Sequence, residues 1–302
     1  MKVVVIKYPT PILSAGILRG NVFALDALWV YHPVAVQKGK QYFMFYSGKS
    51  IQPGIAHTTL LATSADLSHW TKHGTMLTNG AAVEWDSDFT AHAYVFSEKN
   101  KYYMFYDGSS KGNWLEEIGL AESRDLLHWK KFSANPVFKA GREWWEKRHV
   151  SRCSVFKKNN KYYLFYAGHD GKRERIGLAI GSSLTKFLNR FPEPVLDVGK
   201  KGDWDEQSIS DPRILAWKDK YLMFYSGFNA SSKECTGLAV SLDLINWTKY
   251  TDNPILKCTP GAWDAISASR AFPLVKKEKI YLFYSGRKKF IYHIGLAEVI
   301  LI

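Results

Sequence analysis

The sequence predicts an all-β protein, a five-bladed β-propeller with four antiparallel strands in each blade. Three observations predict this fold. A unit of about 60 residues occurs five times, each copy contains short runs of aromatic and β-branched residues, and long helical periodicity is absent. Four-stranded units with repeated aromatic and Trp-Asp signatures are typical of propeller blades. We therefore expect residues 1–302 to form a single propeller domain.

The repeat consists of four sequence blocks that stay in register. The clearest is Phe-Tyr-x-Gly, whose glycines step by 60, 60, 59 and 59 residues. A Gly-Leu-Ala block, a Ser-x-Asp-Leu-x-x-Trp block and a Trp-Asp or Trp-Glu block recur at matching distances. In the second copy these blocks predict strands over 90–96, 102–107 and 118–123 and around 129–132.

The two ends of the chain complement each other. The fifth copy ends after its third strand, whereas residues 7–13, before the first copy, match residues 249–256 of the fourth copy. Residues 2–8 are therefore predicted to supply the missing outer strand and to close the last blade. Closure protects strand edges that an open ring would expose.

Composition excludes several classes of protein. The 41 Lys and Arg against 28 Asp and Glu give a net charge of +13, but many of the lysines recur in the turns between the first two strands. This pattern is typical of a solvated face, so no nucleic-acid partner is expected. No apolar stretch approaches the roughly 18 to 20 residues of a membrane span, so no membrane role is expected. Three widely spaced cysteines, without CxxC spacing, predict a reducing, cytoplasmic location.

One position of the predicted innermost strands carries different ionisable residues in the five copies. These ring residues step in phase with the glycines: His32, His92, Arg152, Asp211 and Arg270. We expect them to form one ring around the propeller axis. Arg152 and Arg270 flank Asp211 in blade order and should lower its pKa. The two histidines are expected to titrate near neutrality.

Acidic residues divide into recurrent and non-recurrent groups. A carboxylate recurs six positions before every ring residue, which favours a structural role: Asp26, Asp86, Glu146, Asp205 and Asp264. Asp66, Asp125 and Asp243 recur before Leu and are interpreted as turn formers. Asp88, Glu206 and Asp107 each occur in one blade only, and we select them as candidate functional acids.

The blade blocks, together with Asp211-Pro212-Arg213, resemble the five-bladed propeller glycoside hydrolases. These include arabinanases and β-xylosidases of family 43, invertases of family 32, and mannoside phosphorylases and hydrolases of family 130. The inner-strand acids typical of families 43 and 32 are replaced here by His32, His92 and Arg152, so that triad is not carried over. Glu234-Cys235 resembles the Glu-Cys of invertases but is expected in a loop before the third strand.

This resemblance implies an enzyme that cleaves a short glycoside in the mouth of the channel. Such cleavage usually needs two carboxyl groups on either side of the scissile bond. The sequence nominates Asp211 as base or electrostatic stabiliser and Glu206 or Asp88 as acid, with His92 as an alternative donor. Substrate binding is assigned to the rest of the ring and two neighbours: His32, His92, Arg152, Arg270, Asp107 and Trp114.

Alternatives remain open at this stage. The arginines and histidines suit an anionic sugar or phosphate, so an inverting glycoside phosphorylase is one of them. A propeller that binds glycans or anions without catalysis is another, because fold does not imply function. No cofactor and no metal ion are predicted. A bound ion near His32, His92 and Asp211 remains an alternative. The expected partner is a small carbohydrate.

Overall fold

A computed structural model of the chain describes residues 1–20, 24–52, 57–110, 112–113 and 115–302. The regular structure in these ranges is β, apart from one 3-10 helix at Gly16–Arg19. The predicted all-β class is confirmed. Over the same ranges, no helix has the length and apolar character needed to cross a membrane.

Twenty strands, β1 to β20, are formed by the described residues. In chain order they are Val3–Lys7, Trp29–Lys38, Gln41–Lys49, His57–Ser64, Thr71–Leu77, Phe89–Glu98, Lys101–Ser109, Glu117–Ser123, Lys130–Lys131, His149–Lys158, Lys161–His169, Glu174–Gly181, Asn189–Arg190, Ser208–Trp217, Lys220–Phe228, Glu234–Ser241, Thr248–Lys249, Ser267–Lys276, Lys279–Lys288 and Ile291–Leu301. They pair as five antiparallel units of four. Units 1 to 4 are β2–β5, β6–β9, β10–β13 and β14–β17, and unit 5 is β18–β20 with β1.

Each unit contacts the next through its third strand. In three places this strand runs parallel to the first strand of the following unit: β4 beside β6, β16 beside β18, and β20 beside β2. Units 2 and 3 are joined where the Val150 N–H donates to the Glu116 carbonyl at 3.2 Å. Units 3 and 4 are joined where the Glu174 N–H donates to Ser208 Oγ at 3.1 Å. Unit 5 thereby contacts both unit 4 and unit 1.

The recurrent carboxylate anchors each unit internally, in agreement with its structural interpretation. In unit 2, Asp86 accepts hydrogen bonds from the Tyr106 hydroxyl at 2.9 Å and from Lys131 Nζ at 2.6 Å. The equivalent cation is Lys72, Arg190 and Lys249 in units 1, 3 and 4. In unit 5 the cation is Lys7 of β1, 2.5 Å from Asp264. The N-terminal strand thus occupies the outer position predicted for it.

The Gly-Leu-Ala block has a packing reason. A Cβ added at Gly119 would lie 2.5 Å from the Tyr106 ring and 2.8 Å from the Trp85 ring. Both distances are shorter than the non-bonded contacts that carbon atoms make, so only glycine allows the two aromatic rings to pack against this strand. Aromatic packing also joins neighbouring units, because Phe45 of unit 1 meets Trp129 of unit 2 edge to face at 5.5 Å.

The Ser-x-Asp-Leu-x-x-Trp blocks form the predicted turns. The Asp125 carboxylate accepts the backbone N–H groups of Leu127 and His128, each at 2.8 Å. Leu126 has a φ of 74°, and its carbonyl accepts the Trp129 indole N–H at 3.1 Å. The hydrogen bond from the His128 imidazole, followed by the two backbone hydrogen bonds to the carboxylate, holds the pKa of Asp125 far below its usual range. The recurrent aspartates of this block are therefore structural.

Removing residues 1–9 should destabilise unit 5. The deletion exposes the edge of β20, removes Val3 and Val5 from the hydrophobic core, and leaves the buried Asp264 without Lys7. We expect the thermal unfolding midpoint to fall by at least about 5 °C. Lys7→Met, which keeps the strand and removes only the ammonium group, should give a smaller decrease. An unchanged midpoint for the deletion would show that β1 contributes nothing to the fold.

Candidate active site

All five ring residues lie on β-bulges of the inner strands. At each of them the pairing between the first two strands of the unit shifts register. Each has a left-handed backbone, with φ of 52° at His32, 53° at His92, 50° at Arg152, 56° at Asp211 and 54° at Arg270. This conformation is costly for residues with a side chain, and it clusters at functional sites. A bulge redirects the side chain, so the five repeat-equivalent residues share one unusual geometry.

The backbone N–H of four ring residues donates a hydrogen bond to the preceding unit. The acceptor is the third residue of Phe-Tyr-x-Gly in four units: Ser285 for His32 at 2.9 Å, Ser47 for His92 at 2.9 Å, Asp107 for Arg152 at 2.9 and 3.0 Å, and Ser226 for Arg270 at 2.8 Å. The fifth copy has Ala167, whose side chain cannot accept, before Asp211. There Ser210 Oγ donates instead to the Asp211 carboxylate at 2.9 Å. Asp107 is thus a variant of a structural position.

His32 and His92 lie together in the buried centre. Their ring centroids are 3.9 Å apart, and His92 Nδ1 lies 2.9 Å from Asp107 Oδ2. Burial, reinforced by the charges of Arg270 and Arg152, holds the pKa of His32 well below its usual range. Burial and the neighbouring His32 do the same for His92. The prediction that both titrate near neutrality is wrong, because both rings are excluded from water and stay neutral there.

Asp211 is a buried anion. Its side chain is 1% exposed, and Oδ1 lies 3.1 Å from His32 Nδ1, although the geometry is not that of a hydrogen bond. Burial raises the pKa of Asp211, but the charges of Arg152, Arg270 and Arg213 together outweigh it, so the net shift is downward. The direction predicted from blade order is therefore confirmed.

A second level of repeat-equivalent residues lies at the start of the third strands, five positions before the alanine of Gly-Leu-Ala. Its members are His57, Glu116, Glu174, Glu234 and Tyr292. The Arg152 guanidinium forms an ion pair with Glu174, and Arg270 forms one with Glu234. Glu234 is the first residue of β16, so its expected placement in a loop is wrong. The recurrence in register is the sequence signal that would have found Glu174.

Glu234 is surrounded by donors. Ser267 and Ser269 each donate to Oε2 at 3.0 Å, and Arg287 and Tyr292 each donate to Oε1 at 3.3 Å. Burial raises the pKa of this carboxyl, but the charges of Arg270 and Arg287 and the hydrogen bonds lower it overall. Glu234 is therefore held as a carboxylate, suited to act as a base, a nucleophile or an electrostatic stabiliser.

Glu174 and Glu234 line the same pocket, which has a volume of about 520 Å³. Its wall brings together two carboxylates, a guanidinium, an aromatic ring and neutral polar groups: Glu174, Glu234, Arg287, Phe228, Ser208 and Gln207. A volume of this order is typical of small-molecule sites. A phenyl ring beside convergent polar groups suits a sugar, which has an apolar face and hydroxyl edges.

The remaining predicted acids lie elsewhere. Glu206 belongs to a surface loop, where its carboxylate accepts the N–H groups of Gly202 at 2.7 Å and Ala230 at 3.2 Å. These two bonds lower the pKa of Glu206. Asp88 is half-buried just before β6, and its N–H donates to the Ser109 carbonyl at 3.1 Å. Trp114 lies outside the described residues.

The structure brings together a group of possible metal ligands that is not the set considered from the sequence. Among the described residues, donor atoms of His92, Asp107 and Glu116 lie within 4.8 Å of one another. Burial is the main cause that raises the pKa of both Asp107 and Glu116, and each carboxyl also feels the Arg152 charge. A raised carboxyl pKa and a nearby guanidinium both disfavour the binding of a cation, so these residues fit a metal ion poorly.

Comparison with known proteins shows the family of the chain. The family model described as the glycosyl hydrolases family 32 N-terminal domain matches residues 32–187 and 93–257. The β-1,2-mannobiose phosphorylase of Thermoanaerobacter sp. (strain X514) is 32% identical over 121 residues, which are 34% of this chain and 38% of that protein. The chain therefore matches well under half the length of this relative.

Two solved structures share the fold. The β-1,2-mannobiose phosphorylase from Listeria innocua, solved with β-1,2-mannobiose, has a TM-score of 0.78 at 13% identity, over 97% of this chain and 96% of that one. A thermostable family-43 glycoside hydrolase has a TM-score of 0.71 at 18% identity, over 89% and 88%. The chain belongs to the glycosyl hydrolase family 32 N-terminal domain family, within the propeller superfamily of the glycoside hydrolase type.

Acid should destabilise the protein partly through His57. This imidazole lies 3.0 Å from the Tyr31 hydroxyl, and burial, with Lys49, lowers its pKa from 6.5 to about 3. Below pH 6.5 the unfolded chain binds a proton at His57 that the folded chain does not, so stability falls as the pH falls. Between pH 7.5 and 5, urea unfolding of the wild type should lose about 2 kcal/mol more than that of His57→Gln. Equal losses would contradict the assigned pKa direction.

Proposed function

We propose that this chain cleaves a glycosidic bond of a short carbohydrate, in the pocket lined by Glu174 and Glu234 at the mouth of a closed five-bladed propeller. The five units of four strands, with contacts from each unit to the next and from unit 5 to unit 1, support the blade count and the closure. The same contacts support a single domain over residues 1–302.

The observation that carries the proposal is the pair of carboxylates in one pocket. Cleavage of a glycosidic bond needs one carboxyl to protonate the leaving oxygen and another to activate the nucleophile or to stabilise positive charge on the sugar ring. Glu174 and Glu234 are the two acids in this pocket, and each is oriented by an arginine of the ring. We assign different roles to them because Glu234 also accepts bonds from Ser267, Ser269, Arg287 and Tyr292.

Glu234 takes the role of the carboxylate. Two arginines and three hydroxyl groups hold it in the ionised form, which suits a base or a charge stabiliser. Glu174 takes the role of the acid because, of the residues around Glu234, it is the second carboxyl that lines the pocket. Phe228 supplies the surface for the apolar face of the sugar.

Asp211 acts from beneath the pocket as an electrostatic stabiliser. Its side chain is buried, so it serves Arg152 and Arg270 and, through them, Glu174 and Glu234. The neutral rings of His32 and His92 and the carboxyl of Asp107 complete this buried layer. Glu206 lies in a surface loop and Asp88 is half-buried, so the proposal gives neither of them a main catalytic role.

Phosphorolysis is the second candidate, and a specific observation favours it. Buried Nε–H groups of Arg152, Arg270 and Arg287 have no hydrogen-bond acceptor among the described residues. Such donors suit an anion, either inorganic phosphate as the attacking group or the carboxylate of an acidic sugar. The Thermoanaerobacter relative is a phosphorylase, so phosphate takes precedence among the anions to be tested.

We propose the substrate class from the similar proteins and the location from the cysteines. Two similar proteins are β-1,2-mannobiose phosphorylases by name, so β-1,2-linked mannobiose is the first substrate to test. The cysteines in the structure are free thiols. Free thiols agree with a reducing, cytoplasmic location, which we retain as a proposal.

Replacing either pocket glutamate should abolish most of the turnover. The wild-type protein is assayed with β-1,2-mannobiose and a panel of aryl glycosides, with and without inorganic phosphate. Glu234→Gln and Glu174→Gln should each lower kcat by at least about 100-fold, because each removes a charge or a proton needed in the transition state. With β-1,2-mannobiose, two free monosaccharides for each bond cleaved indicate hydrolysis, whereas one sugar phosphate and one free monosaccharide indicate phosphorolysis.

Two further variants sharpen this test. Glu122→Gln changes a surface glutamate that pairs with Lys101 and should leave turnover unchanged. Glu206→Gln tests whether the general acid lies in the pocket or in the loop. A large loss of turnover in this variant would assign the role of the acid to Glu206 instead of Glu174. If the substrate raises the unfolding midpoint but is not turned over, the protein is a glycan-binding propeller and not an enzyme.

Asp211→Asn should separate a functional role from a structural one. The change keeps the shape of the side chain and removes the negative charge near Arg152 and Arg270. Because each arginine has its own glutamate, we expect little change in the unfolding midpoint, whereas kcat should fall by about 100-fold. A large drop in the unfolding midpoint with near-normal kcat would instead show that Asp211 has a structural role.

A further inference from the structure

Two cysteines lie side by side at the edge of the proposed site. Cys235 Sγ is 3.8 Å from Cys258 Sγ, although the residues are 23 positions apart in sequence. Cys235 follows Glu234 directly in β16, and the Cys258 thiol lies 3.4 Å from the Glu234 carbonyl oxygen. Both thiols are half-buried. The pair therefore lies against the backbone that positions Glu234.

The segment that carries Cys258 is held in register with β16. Thr236 exchanges backbone hydrogen bonds with Leu256 at 3.1 and 3.2 Å, two residues before Cys258. On the other side, Lys7 Nζ bonds to Thr259 Oγ1 at 2.9 Å. These contacts keep the two sulfur atoms near each other, so a short movement is sufficient to join them.

The environment also makes one of the thiols reactive. A hydrogen bond from Cys258 lowers the pKa of Cys235 to about 7, since it stabilises the thiolate. Thiolates attack disulfides, and this reactivity is greatest when the pKa is near the ambient pH. Burial, by contrast, raises the pKa of Cys153, which is 2% exposed. Cys153 is therefore an internal reference within the same chain.

We propose that Cys235 and Cys258 are a redox-active pair that forms a reversible disulfide in exchange with a low-molecular-mass disulfide such as oxidised glutathione. The Cys235 thiolate attacks one sulfur of glutathione disulfide, forms a mixed disulfide and releases one glutathione thiolate. The Cys258 thiol then loses its proton, and its sulfur attacks Cys235 Sγ, which expels the second glutathione as thiolate. The protein loses two electrons and two protons, and the glutathione disulfide is reduced to two glutathione molecules.

The disulfide has a consequence for the pocket, and this part rests on the proposed function. An S–S bond is about 2.05 Å long, so the two sulfur atoms must approach by well over 1 Å. That movement displaces Cys235 and its neighbour Glu234, whose carboxylate is placed by five donors. Misplacing a reacting group by about 1 Å costs up to about 100-fold in rate. Oxidation should therefore lower turnover reversibly.

The test uses the full chain, with oxidised glutathione as the probe. After incubation at pH 8, alkylation under denaturing conditions should find one free thiol per chain instead of three, and peptide mass spectrometry should show Cys235 linked to Cys258. Dithiothreitol should restore three thiols. Cys153→Ser should still form the link, whereas Cys258→Ser should stop at the mixed disulfide of Cys235 with glutathione.

Turnover is measured on the same samples. Oxidised wild type should lose at least about 10-fold relative to the reduced protein and recover with dithiothreitol. Three free thiols after oxidation, or modification of Cys153 at the same rate as Cys235, would overturn the pair as a redox site. A complete disulfide with unchanged turnover would overturn its effect on Glu234. A reduced protein without turnover would overturn the proposed function alone, because the thiol count decides the disulfide independently.

Discussion

The hydrogen bond from the backbone of a ring residue to the Phe-Tyr-x-Gly side chain of the preceding unit, made at four of the five ring positions, is the interaction on which the site depends. It joins successive units at residues whose left-handed conformation is costly for a side chain. Its variants generate the asymmetry of the centre. Asp107 replaces serine and brings a carboxyl to His92, whereas Ala167 removes the acceptor before Asp211.

Electrostatics organises the centre into two layers. The lower layer contains the neutral rings of His32 and His92 and the anion of Asp211, all excluded from water. In the upper layer Arg152 and Arg270 form ion pairs with Glu174 and Glu234, which line the pocket. Buried ion pairs add little net stability compared with apolar packing. The arginines link the layers because each is close to Asp211 and bonded to a glutamate.

The residues that recur in every unit and the residues that differ between units have different roles. Recurrent Asp–Tyr–Lys anchors, aspartate turns and Trp–Gly packing fix the positions of the strands. On that framework, the residues at the start of the third strands change from unit to unit without disturbing the fold. Glu234 is the point where these features meet, since it accepts bonds from Arg270, two serines, Arg287 and Tyr292 and precedes Cys235. These five donors fix the position of the Glu234 carboxylate.

The sequence by itself determined the repeat, the strand positions, the structural role of the recurrent acids, the partnership of β1 with the last unit, and the lowered pKa of Asp211. These features depend on local periodicity and on register, which one chain displays directly. Only the tertiary structure decided which residues share a volume and which are shielded from water. It placed Glu174 and Glu234 in one pocket, Glu206 in a surface loop, and both histidines in a dry centre that keeps them neutral. The physical reason is that a pocket and the loss of contact with water depend on how side chains from strands distant in sequence pack together, which the register of the repeat does not specify.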